Sequence, residues 1–254
     1  MRPALDDLPG PGQAARAIAE IGTNAVPTLL RMLQHHDSKL RIAFTGLLQK
    51  LNITSTTIKI DTPNTLALRG FSALGARASN AVPKLIMILD SDPSPFSQTA
   101  VPVILGQIGP PAQRALPRLL QAISHSNQIV RINSIWAVSQ IRDEPDLVLP
   151  VLIKCLEDRD PQIRICAVDA LSSFGKDAQP AIPQLLKLWG KERLSPSIRN
   201  GNHTGTLVGS EWFSWPLTGM AITVSGFPDP DSATATGNAL KAIDPETAAK
   251  AGVK

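Results

Sequence analysis

Apolar residues recur along this chain in one helical register. Two positions after Pro27, Pro83, Pro117, Pro150 and Pro183 stands a leucine: Leu29, Leu85, Leu119, Leu152 and Leu185. Three positions after comes Leu30, Ile86, Leu120, Ile153 or Leu186, and six after comes Leu33, Leu89, Ile123, Leu156 or Trp189. These offsets fall on one side of a helix, so the stripe predicts the core face of an amphipathic helix. The proline belongs in the first turn, where its missing N–H costs least. From Pro83 to Pro117, Pro150 and Pro183 the steps are 34, 33 and 33 residues. A period of this length predicts stacked helical units rather than compact domains.

One period, 150–183, shows the unit whole. A helix over 147–156 ends in an Asp-rich turn, a second over 163–174 stops at Gly175, and a third opens around Pro183. Asp37, Asn127 and Asp160 precede Arg41, Arg131 and Arg164 by four residues. The acidic or amide residue can cap the next helix, and the arginine can reach across to the acidic or amide side chain of a neighbouring repeat. Asn24 is placed to cap the helix after it. The expected core array is five to six helix pairs over 13–200, after an irregular lead-in of three prolines and two glycines at 1–12.

Two stretches break the period. Pro27 to Pro83 spans 56 residues, and within it 52–65 (NITSTTIKIDTPNT) is rich in β-branched residues and holds Pro63, which argues for an irregular excursion before a new helix from Leu66. The second, 201–232, is rich in Gly, Ser, Thr and Pro, yet carries Trp212, Phe213, Trp215 and Phe227, four of the chain's ten aromatic residues. It reads as an insertion whose aromatics either fold back onto the last repeats or offer an apolar patch to a partner. Helix resumes at Ala233, and Asp244-Pro245-Glu246 caps a short final one, making 233–254 a C-terminal cap.

Composition agrees with helix stacking: 43% of residues are hydrophobic but only 4% aromatic, without tyrosine. A net charge of +4 permits an anionic partner without demanding one. Cys155 and Cys166 lie in apolar parts of helices and read as reduced core residues. No run of about 18 apolar residues occurs, and the N-terminal residues lack the apolar stretch of a signal peptide, so the expectation is a soluble, cytoplasmic chain.

The pattern of AVP-LL cores, Asp/Asn-x-x-x-Arg turns and Ile-Gly or Leu-Gly helix ends at Gly22, Gly75 and Gly109 resembles HEAT repeats, of the short kind called phycobilisome-lyase HEAT-like. The two ends of the chain also look like those of a group of bacterial HEAT proteins. The resemblance implies an all-α, armadillo-like α/α solenoid, antiparallel helix pairs wound into a right-handed superhelix whose second helices line the concave face. It implies a protein–protein interaction scaffold. Some relatives carry an N-terminal anchor or export signal, which leaves localisation open.

A search for chemistry finds no Walker loop, GxSxG, HExxH or CxxC. His35 and His125 fall at helix ends, where a cation suits the dipole, and neither cysteine stands at ligand spacing from them. The reading is therefore no catalytic residue, no metal and no cofactor. Since HEAT-like folds also host lyases and DNA glycosylases, an enzyme remains the least favoured alternative.

The candidate partner surface comes from the positions one and four after each repeat proline. These hold Thr28, Arg31, Lys84, Met87, Arg118, Gln121, Val151, Lys154, Gln184 and Lys187, five basic residues and no acidic one. Arg31, Lys84, Arg118, Lys154 and Lys187 are expected to form a basic strip along the groove for an acidic peptide or protein segment, with nucleic acid or another polyanion second. Long basic side chains that merely cover apolar surface are the competing account. Trp212 and Trp215 offer the other candidate contact.

Overall fold

Three local devices recur along the chain: a proline early in one helix of a pair, an Asn or Asp cap on the other at Asn127 and Asp160, and a residue of positive φ that stops it. The structure, a computed structural model, describes residues 17–34, 63–91, 94–193 and 232–253. Residues 17–21 are helical, followed by α1 (Val26–Leu33), α2 (Pro63–Leu74), α3 (Val82–Ser91), α4 (Pro95–Ile108), α5 (Leu116–Ala122), α6 (Gln128–Ile141), α7 (Pro145–Cys155), α8 (Pro161–Ser173), α9 (Ile182–Arg193), α10 (Ser232–Ile243) and α11 (Pro245–Lys250). No strand occurs among the described residues. The helices that carry a repeat proline, α1, α3, α5, α7 and α9, are called first helices below; α2, α4, α6, α8 and α10 are second helices.

The predicted stripe is core. All five leucines two positions after the proline are buried, together with Val26, Val82, Leu116 and Leu149 just before it. The residues three positions after the proline are half-buried, and in α3 and α9 the stripe turns slightly: Ile88 and Leu188 are buried, Leu89 and Trp189 only half so. Helices 17–21 and α2, α4 and α8 end against Gly22, Gly75, Gly109 and Gly175, all with positive φ. Such a residue lets the chain leave the helix while satisfying its last carbonyls, and glycine does so without a Cβ penalty. Short 3-10 segments, Gly22–Ala25, Gly75–Ala81, Pro110–Ala115 and Gly175–Ala181, then lead into the next first helix.

At one turn the pattern changes. Arg142 lies 33 residues after Gly109 and 33 before Gly175, and it adopts their left-handed conformation at φ 47°, with Glu144 at φ 48° two residues on. This double bend replaces the 3-10 segment, so α7 starts early at Pro145 and Pro150 falls inside the helix instead of opening it. Two further expectations shift. Asn24 makes no cap, because the 3-10 turn around it runs straight into α1 and its backbone carbonyls take the free donors. Helix α2 starts at Pro63 rather than Leu66, since a proline at the first helical position has no N–H to waste. Residues 52–62 and 201–231 lie outside the described residues.

The chain divides into two units, Met1–Ala115 and Leu116–Lys254. In the first, α1 packs on α2, α3 on α4, and α2 on α4 around Phe71, Leu85 and Ile104. A Cβ at Gly70 would overlap the Leu29 side chain, so glycine lets α1 approach α2 closely. The Ser97 hydroxyl donates to the Leu33 carbonyl at 3.3 Å, joining α4 to the end of α1. In the second unit α5 packs on α6, α7 on α8 and α9 on α10, while the second helices stack in order, α6 on α8 and α8 on α10. The final helix is capped as expected: Asp244 accepts from the backbone N–H groups of Glu246 and Thr247, both at 3.1 Å.

Candidate partner-binding surface

The five basic residues all sit on first helices, the ones that carry the repeat prolines. In the first unit Arg31 on α1 and Lys84 on α3 are exposed, with Met87 beside the latter 56% exposed. In the second unit Arg118 on α5 is half-buried and Lys154 on α7 and Lys187 on α9 are exposed. Arg118 is held by a hydrogen bond to the Gln121 side chain. Lys187 reaches Glu157 at the end of the preceding first helix, 3.4 Å away, with the two side chains 78% and 63% exposed. A pair this open contributes little to stability, so a partner's carboxylate can replace Glu157 at small cost. Trp212 and Trp215 lie outside the described residues.

Arginines on the second helices serve a different purpose. Arg131 of α6 pairs with Asp160 at 3.3 Å and Asp158 at 3.7 Å, both in the next repeat. Asp160 divides its two oxygens: Oδ1 accepts from the Gln162 N–H at 3.0 Å and caps its own helix, and Oδ2 takes Arg131 and the Gln128 amide, the latter at 2.6 Å. Asn127 caps α6 in the same way, accepting from Ile129 N–H at 2.8 Å. The ladder predicted from spacing is thus present at this step. Arg164, its counterpart on α8, instead donates to the carbonyls of Asp158 and Arg159 in its own turn. Arg41 and Asp37 lie outside the described residues.

Titratable groups show which positions are shielded from water. Burial pushes the Cys155 thiol up to about 11 and the Cys166 thiol higher still; both are free and buried, which makes them packing residues rather than nucleophiles. Asp169 on α8 stands out. Burial raises its carboxyl to about 7, and its Oδ2 has no hydrogen-bond partner. Hydrogen bonds from Thr247, side chain first, hold the Asp244 carboxyl below its usual range. His125 stands in the turn after α5, and its Nδ1 accepts the Asn127 N–H at 3.0 Å. The other histidines lie outside the described residues. Among the described residues no group of His, Cys, Asp or Glu is arranged to hold a metal ion, and no helix is long and apolar enough to cross a membrane.

Stacked α/α pairs with a recurring opening proline, cap and left-handed stop define an all-α helical-repeat protein of the solenoid class. The chain carries HEAT repeats: a model described as HEAT repeats matches residues 116–199, and one described as PBS lyase HEAT-like repeat matches 12–35. Among solved structures it is similar to an engineered protein, 14% identical over 94% of this chain and 98% of that one, with a TM-score of 0.48. A comparison with curated proteins gives no match.

Proposed function

We propose that this chain is a non-catalytic scaffold that holds an acidic segment of a protein partner on basic side chains of its first helices. Arg118, Lys154 and Lys187 are the contacts in the second unit, and Arg31 and Lys84 those in the first. The supporting observation is one-sidedness: five of ten positions beside the core stripe are basic and none is acidic. Solubility alone would be served as well by glutamate. The openness of the Lys187–Glu157 pair supports the same reading.

The test compares the full chain with its Arg118→Glu, Lys154→Glu, Lys187→Glu triple variant, titrated with a glutamate-rich peptide and with a single-stranded oligonucleotide. The expected result is peptide binding at least tenfold weaker in the variant, at unchanged helical content. Undiminished peptide binding would overturn the assignment and move the contact to Trp212 and Trp215. Tighter binding of the oligonucleotide, falling steeply with salt, would replace the peptide with a nucleic-acid partner.

A further inference from the structure

Around the Lys187–Glu157 pair the second unit gathers further basic side chains. Glu157 follows α7 in a tight turn, where the Leu156 N–H donates to the Ile153 carbonyl and the Glu157 N–H to the Lys154 carbonyl, both at 3.1 Å. In a turn bonded over three residues, side chains three apart eclipse one another, so Glu157 stands on the same side as Lys154. From the following first helix Lys187 reaches the same carboxylate at 3.4 Å. Lys191, four residues further along α9, shares the helix face that Lys187 uses. Lys154, Lys187 and Lys191 are all exposed.

Three lysines therefore share one carboxylate. Lys154 and Lys191 hold no ion pair among the described residues. The other acids of this turn are engaged elsewhere: Arg131 of α6 takes both Asp158 and Asp160, and Asp160 also caps α8. Glu157 and Lys187 are too open to water for their pairing to matter much to the fold. A carboxylate seated on a basic cluster does act on whatever else approaches that cluster. It competes for Lys187, and it repels an incoming anion within a Debye length of about 8 Å at physiological salt.

We infer that Glu157 is a built-in stand-in for the partner's carboxylate, and that the seat it fills, formed by Lys154, Lys187 and Lys191, is where the acidic segment anchors in the second unit. The inference rests on the acidic-segment reading above and adds to it a contact, Lys191, and a competitor, Glu157. To bind, the segment displaces Glu157 from Lys187, and the glutamate turns into the water that already surrounds it. A segment with a single carboxylate only exchanges one ion pair for another. A segment with clustered acids meets Lys154 and Lys191 as well, so the seat favours clustered acidic residues over isolated ones.

The experiment titrates the full chain and its variants with the glutamate-rich peptide at about 0.15 M salt. Glu157→Gln is expected to bind about threefold more tightly than the unmodified chain, and Lys191→Gln about threefold more weakly. Asp146→Asn makes the same change of charge at the other end of α7, about 16 Å along the helix axis from Glu157, and should leave binding unchanged. On a Lys187→Gln background Glu157→Gln should give a smaller gain, the coupling expected of a direct competitor. Unchanged affinity for Glu157→Gln, an equal gain for Asp146→Asn, or an equal gain on the Lys187→Gln background would overturn the inference. Weakened binding by the Arg118→Glu, Lys154→Glu, Lys187→Glu triple variant would then still uphold the acidic-segment reading. Undiminished binding by that triple variant would overturn both.

Discussion

In the second unit the two rows of helices are built from the same repeat yet use their polar residues in opposite ways. The first helices α5, α7 and α9 bury a narrow stripe, leave Arg118 half-buried and turn Lys154 and Lys187 outward, where no described interaction of either lysine does more than rest on the surface. The second helices α6 and α8 are buried on most sides, and their arginine and aspartate are spent on caps and on the bridge from Arg131 to Asp160. A charge is thus structural in one row and disposable in the other. That division leaves a repeat array with a face on which a partner's contacts can change without cost to the fold.

The largest effect should come from charging the stripe on which both rows depend. Leu152 is fully buried on α7, and Leu152→Asp is expected to cost several kcal/mol and to abolish the cooperative melt of residues 116–253 seen by circular dichroism. The neighbouring Val151, half-buried, should accept Asp with a much smaller loss. Equal losses at 151 and 152 would show that the helix face has been misassigned.

Next comes the pH dependence set by Asp169. Its carboxyl titrates near 7 when folded and near 3.8 as a free side chain. The folded state therefore holds this proton more tightly: its contribution is fully present below the unfolded value and is lost as pH rises toward 7. Asp169→Asn should flatten stability between pH 4 and 7 and leave the variant the more stable protein at pH 8, by on the order of 1–3 kcal/mol, measured by urea unfolding at each pH. A variant that is less stable at pH 8 would mean that the carboxylate has a partner.

A smaller gain is expected at the irregular turn. Arg142 does the work of a glycine, so Arg142→Gly should stabilise the unit by roughly 0.5–1 kcal/mol by relieving a left-handed residue with a side chain. The same change at a position of negative φ would destabilise by a similar amount. A lower midpoint for Arg142→Gly would show that the Arg142 side chain makes contacts that matter more than its backbone.

These positions also show what the sequence made legible. The core stripe could be read because helical register alone decides which leucines are buried, and the caps at Asn127 and Asp160 because capping is local chemistry. Pro63 was misjudged by treating a proline as a breaker where it starts a helix. The special turn at Arg142 carries no local mark, since nothing in an arginine signals a left-handed backbone; only its place midway between Gly109 and Gly175 does. Asp169 reads as an ordinary polar position in α8, because its shielding comes from packing set by helices α6 and α10, the latter about seventy residues away in sequence. The basic strip was visible as a charge pattern, because the proline register places all five residues on the helices that carry the repeat prolines.

The division of labour between the rows is tested most directly by matched thermal melts of two charge reversals. Arg131→Glu sets a carboxylate against Asp158 and Asp160, and a loss of about 2 kcal/mol should lower the melting temperature by roughly 4–8 °C for a chain of this size. The triple reversal of Arg118, Lys154 and Lys187 should move it by less than about 2 °C, since Lys154 and Lys187 are exposed and half-buried Arg118 meets only the neighbouring Gln121 side chain among the bonds described here. A triple variant that melts as early as Arg131→Glu would contradict the account, because the first-helix charges would then be part of the fold rather than a surface free for a partner.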